Sequence, residues 1–560
     1  MKKKNLLKIG AFVLVASTLA GCGGINPPGK SYTDEDGRKI YTYNYNMYIQ
    51  GDTTYPETND NEFDNMLYDD FGIVFNYDRI ARTDWETKTN TYFATNDAPD
   101  ITTGGKETNY KGWANQQMLA PVADSYEDLC EKMPNYVKLF GDSMEEVYNL
   151  AASSDGKLYY LPSLRQEKAQ MCWLYRKDIF DDLGLEFPET TDEFLEVCRV
   201  LKEKYPDKIL ISSNGQKTSS LTGFFQAFGM PELILSRNSF YDPKDEEFVA
   251  YAMATDDARD MYIFMRELND LNYLDKEILS LETDRFSSRC ATDNAMITYN
   301  YVYNAEGFTT KTNVNGKEGG LWSPTDTMIT AHPEKGTVFK KDPLYSDYGP
   351  AFSTSCESEE GKLDAVLKYF DWAATPEGQV YHTYGVEGES FHYEDASTVA
   401  DDPGYEENWG VMKDGKLVVP VVNDGWYDMA NNTKGTKIAE ALGIPSMFGK
   451  QPKKFWEDRG SKIEDLYQSF MSKTETDNYY YIEDIPMRYT SEEESRYTDL
   501  ATALATKRDE YMARFIFGDM DPADDNDWNQ YISDMNRVGL QDFVDLQNEV
   551  FERTQASLGE

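Results

Sequence analysis

The chain has 560 residues, roughly three to four domains' worth of sequence and ample for a core that needs neither disulfides nor a structural metal. Aspartate and glutamate total 99 against 55 lysines and arginines, a net charge of −44 that repels nucleic acid and anionic membrane surfaces. Hydrophobic residues at 40% and aromatics at 14%, including 40 tyrosines, exclude a disordered acidic tail.

Lys2, Lys3 and Lys4 precede a short apolar run over residues 9–19, the pattern of a secretory leader and too short for a membrane span. It ends Leu19-Ala20-Gly21-Cys22, which resembles a bacterial lipobox. The expectation is a signal peptide over residues 1–21 and a diacylglycerol on the Cys22 thiol. Residues 22–36, rich in Gly, Pro and charge, are expected to tether the protein to the outer face of the cell membrane. The lipid is then the anchor, since no later stretch reaches about 18 apolar residues. Cys130, Cys172, Cys198, Cys290 and Cys356 are odd in number and widely spaced, without CxxC, and read as small core hydrophobes.

Residues 39–48 alternate aromatic and polar side chains as a strand does, and residues 72–79 form a second candidate. Residues 100–105 read as a short strand running into a loop, and Asp155-Gly156 as a hairpin-type turn before Leu158-Tyr159-Tyr160-Leu161. Thr190 and Glu193 have capping-box spacing, and Phe194, Val197, Cys198 and Leu201 follow as one buried helix face. Leu363, Val366, Leu367 and Phe370 repeat that face, as do Trp528, Tyr531, Ile532 and Met535. Residues 294–303 end a candidate strand. The apolar run 417–422 stops at the turn Asn423-Asp424-Gly425. Strands alternating with helices imply an α/β fold.

Catalytic signatures are missing: the histidines are His332, His382 and His392, with no HExxH, GxSxG, phosphate loop or GxGxxG opening a helix. The chain is therefore not expected to be an enzyme or to carry a metal or cofactor. Paired-carboxylate hydrolysis stays open, because 99 acidic residues permit any pairing. The acidic run 519–527 lacks the sixth-position Gly and the terminal Glu of an EF-hand loop, and reads as a helix-initiating loop before Trp528. An aromatic-rich secreted α/β protein without catalytic motifs suits a receptor for a polar solute such as a sugar, whose C–H faces stack on rings.

Several segments together resemble the bacterial extracellular solute-binding proteins of family 1, the sugar receptors of ABC importers, in their long lipoprotein branch. They are Asp97-Ala98-Pro99-Asp100-Ile101, Leu119-Ala120-Pro121-Val122 with Met133-Pro134-Asn135, and Gly156-Lys157-Leu158-Tyr159-Tyr160-Leu161-Pro162. Trp173-Leu174-Tyr175-Arg176-Lys177-Asp178 and Pro188-Glu189-Thr190-Thr191-Asp192-Glu193-Phe194 follow. Asp371-Trp372-Ala373-Ala374-Thr375-Pro376-Glu377-Gly378 and Phe515-Ile516-Phe517-Gly518 with Trp528 complete the order, from about residue 40 to residue 550. The acidic calcium-like loop of some members is replaced here by Tyr205-Pro206-Asp207-Lys208.

The resemblance implies a two-lobed, periplasmic-binding-protein-like (type II) α/β fold with strand crossovers as hinge and helical C-terminal packing. Lobe 1 is expected over residues 37–164 and 350–425, and lobe 2 over residues 165–349 and 426–555, with crossovers near 161–172 and 347–353. It further implies a monomer that captures a carbohydrate, an oligosaccharide, between the lobes and delivers it to ABC permease subunits. An oligopeptide receptor and a secreted glycosidase are the alternatives. Tyr299, Tyr301 and Tyr303 share one strand face and are expected at the ligand, Asn300 lying on the other face. Tyr48 and Gln50 after the first strand, Trp113 after the third, Arg165 and Gln166 at the first crossover, and Trp426 and Tyr427 after the 423–425 turn complete the expected site.

Overall fold

The computed structural model describes residues 30–49, 62–164, 171–214, 221–230, 239–242, 247–292, 294–302, 304–311, 313–314, 317–318, 321–333, 337–340, 345–346, 349–399, 410–423, 479–482 and 485–558. Two large hydrophobic cores organise them.

The first core surrounds the strand Lys39–Ile49, which extends the expected 39–48 by one residue. It runs parallel to Ile73–Ala81 on one edge, from Tyr41 opposite Ile73 to Ile49 opposite Ala81. On the other edge Tyr45 and Asn46 pair in parallel with Ile101–Thr102, which pairs antiparallel with Ala351–Phe352. Residues 42–47 are all buried, so alternation does not divide them into a wet and a dry face; a parallel sheet covered on both sides needs none. Tyr43 and Tyr45 pack edge-on against Phe75, and the Tyr43 hydroxyl donates to Lys362 O at 2.5 Å. The Tyr136 hydroxyl likewise donates to Pro162 O, and that of Tyr531 to Met253 O at 2.9 Å. Part of the tyrosine excess is thus core, and in these three the ring is buried while the hydroxyl donates to a backbone carbonyl. Burial holds the Tyr136 and Tyr531 phenols well above their ordinary pKa.

Two segments that carry the family resemblance meet in this core. Asp371 accepts from Asn135 N at 2.8 Å and Tyr136 N at 2.9 Å, capping the helix Pro134–Phe140 that begins in Met133-Pro134-Asn135. A buried ion pair lies alongside: Lys362 Nζ is 2.8 Å from Asp100 Oδ1, and both side chains are almost wholly enclosed. Asp100 also accepts from Asn44 N at 2.8 Å and Ser355 Oγ at 2.6 Å.

The second core surrounds the antiparallel strands Trp322–Pro324, Met171–Arg176 and Ile297–Tyr301, in that order. Ile211 adds parallel bridges to Ile297 and Leu274. The helix Thr191–Lys204 carries the expected capping box and buries Phe194, Val197, Cys198 and Leu201, as its spacing requires. The C-terminal helices Ser491–Phe517 and Asp525–Arg537 contribute Tyr511, Phe515, Trp528, Tyr531 and Met535 to the same core. Between them the acidic run is a helix start, as the sequence suggests. Asp524 accepts from Asn526 N and Asp527 N, while Arg259 donates to the Pro522 and Ala523 carbonyls and pairs with Asp525.

A smaller cluster, Val380, Tyr384 and Phe391, supports a three-stranded sheet of Phe391–Asp395, Lys416–Val422 and Val411–Lys413. Pro420 sits in its central strand because Val411–Lys413 reaches only as far as Val418, so the proline's edge carries no described partner. Among the described residues no helix is long and apolar enough to cross a membrane.

Candidate ligand-binding site

The two cores are joined by paired chain segments. Ser163–Leu164 pairs antiparallel with Tyr345–Ser346, and Leu161 N donates to Pro350 O at 2.8 Å. Gly349 lies so close to the other segment that a Cβ there would sit 1.7 Å from Leu161 O. Tyr110, in the helix Glu107–Asn115, donates to Gly349 O at 2.7 Å and accepts from Gly105 N at 2.9 Å. Tyr345 donates to Glu107 at 3.3 Å, and Glu107 in turn pairs with Lys111. The loop that follows Ile101–Thr102 is therefore fastened to the crossover.

This fastening marks the candidate region. In open α/β sheets ligands bind beyond the carboxyl ends of the strands. In the first lobe, Tyr110 ties that end of Ile101–Thr102 to the crossover. In the second lobe the chain arriving from the crossover enters at Met171, which pairs with Tyr301 at the end of Ile297–Tyr301. The parallel segment through Ile211 ends at the same level, in Ser212, Ser213 and Asn214. Behind it Ser212 donates to Asp275 at 2.7 Å, and Asp275 is ion-paired with Arg289.

The expected ligand residues divide into three groups. Gln50, Arg165, Gln166, Tyr303, Trp426 and Tyr427 lie outside the described residues, as does Cys22. Tyr48 is in the first strand opposite Ile80, one residue before its carboxyl end rather than after it. Tyr301 is half-buried at the end of its strand, and its N–H donates to Asn300 Oδ1, which also accepts from Asn304.

Trp113 and Tyr299 are corrections. Trp113 is only 6% exposed and stacks on Phe93 with 3.9 Å between centroids, flanked by Tyr110 and Trp85. Its ring belongs to the first core, because Tyr110, Trp113 and Ala114 form the buried face of their helix. Tyr299 is 3% exposed and packs edge-on against Trp173, its hydroxyl 2.9 Å from Gln226 Oε1 and 3.1 Å from Met171 O. Asn300 alone separates it from Tyr301 along the strand, yet the Tyr299 ring is buried where that of Tyr301 is half-buried. Ser213 and Asn214 escaped sequence reasoning. The signal was present in the apolar run Ile209-Leu210-Ile211 stopping at Ser212-Ser213-Asn214-Gly215.

Cys172, Cys198, Cys290 and Cys356 are buried, as their spacing suggests, whereas Cys130 is half-buried, and burial raises the pKa of the four enclosed thiols. They are inert packing groups.

Two α/β cores joined by paired crossover segments define a two-lobed binding protein. The chain belongs to the bacterial extracellular solute-binding protein family, whose sequence profile matches residues 56–380. It is 27% identical over 221 residues to the fructooligosaccharide ABC transporter substrate-binding protein FusA of Streptococcus pneumoniae. That match covers 35% of this chain and 38% of the relative, well short of the relative's full length. The solved structure of FusA in complex with kestose superposes with a TM-score of 0.63 at 16% identity, covering 92% of this chain and 100% of that one. An HMO-binding, ABC-transporter-associated solute-binding protein from Bifidobacterium longum infantis gives 0.64 at 14% identity, over 92% and 99%. At such identities these likenesses establish the fold.

Proposed function

We propose that the protein is a lipid-anchored receptor on the outer face of the cell membrane that captures an oligosaccharide between its lobes and presents it to the permease of an ABC importer. The observation that carries this reading is the pair of separate cores joined by fastened crossovers, with polar strand ends flanking the junction. Membership of a solute-binding family and similarity to a fructooligosaccharide receptor support it. The mechanism is a population shift. A sugar that contacts both lobes favours the closed arrangement, whereas contacts to one lobe alone leave the equilibrium unmoved.

Tyr48, Gln50, Arg165, Gln166, Tyr301, Tyr303, Trp426 and Tyr427 are the proposed ligand contacts, with Trp426 as an aromatic platform after the 423–425 turn. One ring stacked in a desolvated site is worth about 1–3 kcal/mol. Trp426→Ala is therefore expected to weaken sugar binding roughly ten- to hundredfold. Calorimetric titration measures this, and thermal unfolding of the unliganded variant accompanies it. Lost stability with unchanged affinity makes Trp426 a packing residue.

The anchor is tested separately. Cys22→Ser is expected to move the protein from the membrane fraction to the medium or leave it unprocessed. A variant that is processed and retained at the wild-type level contradicts lipidation at Cys22.

A further inference from the structure

In a chain with 99 acidic side chains to 55 lysines and arginines, Arg488 has no counter-charge. Its side chain is half-buried, its Nε is enclosed without a hydrogen-bond partner, and among the described residues no carboxylate pairs with it. Glu493 is taken by Arg553, whose two contacts with it measure 2.6 and 2.7 Å. Burial accordingly lowers the Arg488 pKa from the ordinary arginine value. A desolvated cation needs compensation from another source. The Arg488 N–H donates to Thr554 Oγ1 at 3.1 Å, its carbonyl accepts from Arg553 at 2.8 Å, and its Nη1 is 3.5 Å from Ser557 Oγ. All three partners lie in the last turns of the helix Leu540–Leu558, which joins the second core through Leu540 and Phe543. Its Nη2 donates in the other direction, to Asn149 Oδ1 at 3.4 Å. Asn149 is in the last turn of the helix Met144–Ala151, whose Met144, Val147 and Tyr148 belong to the first core. A helix carries about half a negative charge at its carboxyl end, so two half-charges from different lobes converge on one cation. Lys111, which donates to Leu150 O in the same turn, is itself paired with Glu107.

We infer that Arg488 is a releasable link between the two lobes, its guanidinium held between the carboxyl-terminal turns of one helix from each. The crossover segments are continuous chain and persist in every arrangement of the lobes. The Arg488 contact exists only while the two helix ends stay together, so it favours the arrangement described here over all others. Its hydrogen bonds at 3.4 and 3.5 Å are long, and its partners are a neutral amide and a neutral hydroxyl, so the link is weak enough to break. A buried carboxylate in place of Asn149 would make the attachment far harder to release. Any affinity that depends on lobe movement carries the bias Arg488 imposes, and the inference holds whatever the cleft binds.

The test reads the distance between the lobes without any ligand, by spin labels on Thr83→Cys in the first lobe and Lys204→Cys in the second, both exposed positions. Cys22→Ser and Cys130→Ser remove the other thiols open to the label. Arg488→Gln discards the charge and keeps the backbone bonds to Thr554 and Arg553. Asn149→Lys sets a like charge against Arg488 from the opposite lobe. Each is expected to shift the equilibrium away from the wild-type distance about three- to thirtyfold, the combined effect of two helix ends. Arg488→Lys, which keeps the charge, is expected to stay closer to the wild type than Arg488→Gln. Unchanged distance distributions in Arg488→Gln and Asn149→Lys overturn the inference. So does a change confined to one of them, because a link between lobes responds from both sides. Should Arg488→Gln fail to fold, the Asn149→Lys distribution decides alone.

Discussion

Asp100→Ala is expected to lower the stability of the first lobe by about 3–5 kcal/mol, the usual consequence of removing one partner from a buried ion pair. Lys362 is 2% exposed and its ammonium has no route to water, so the variant strands a charge inside the core. The loss extends beyond Lys362. The Asn44 N–H and the Ser355 hydroxyl also donate to this carboxylate, and both lose their acceptor. Asp100 therefore links the central strand, the segment after Ala351–Phe352 and the helix Lys362–Ala373. A second substitution, Lys362→Met, in the Asp100→Ala background removes the stranded charge and is expected to restore part of the stability. Urea unfolding checks this. Because two lobes need not unfold together, the readout is the transition of the first lobe. An unmoved transition shows that the pair contributes nothing net.

Gly349→Ala is expected to cost about 2–4 kcal/mol and to weaken ligand binding as well. The obstacle is space: the Gly349 φ is not in the left-handed region, but its Cβ would meet Leu161 O at 1.7 Å and Leu161 C at 2.9 Å. Those atoms are backbone and cannot swing aside, so the two crossover segments must separate. Separation breaks the bond from Leu161 N to Pro350 O and pulls Gly349 O from the Tyr110 hydroxyl. The crossover geometry sets how the lobes meet, which is why affinity follows stability here. Thermal unfolding with a sugar titration measures both. Tyr110→Phe is the milder companion, leaving Gly105 N and Gly349 O without that partner at an expected cost of about 1–3 kcal/mol. Wild-type affinity in Gly349→Ala dissociates the crossover from binding.

Local signals in the chain located most of the framework. The capping box at Thr190 and Glu193 and the four-residue apolar face behind it define a helix that the structure reproduces. The first strand appears within one residue because its aromatic alternation spans ten positions. Depth was harder to read. Trp113 follows a strand, as a cleft residue would, yet Tyr110, Trp113 and Ala114 have the i, i+3, i+4 spacing of a buried helix face. Period two places Tyr299 and Tyr301 on the same face, but it says nothing of distance from the strand's end. That distance separates a buried ring from a half-buried one.

The central claim, capture of an oligosaccharide between two lobes, is tested most directly by small-angle scattering of the protein titrated with kestose and other neutral oligosaccharides, alongside thermal unfolding. Binding to the native state alone raises the melting temperature, by an amount equivalent to about 2.7 kcal/mol at a hundredfold excess over Kd. At least one sugar is expected to raise it, to contract the particle as the lobes close, and to be recovered intact. A protein whose melting temperature and dimensions ignore every sugar, or which returns the sugar cleaved, contradicts the claim.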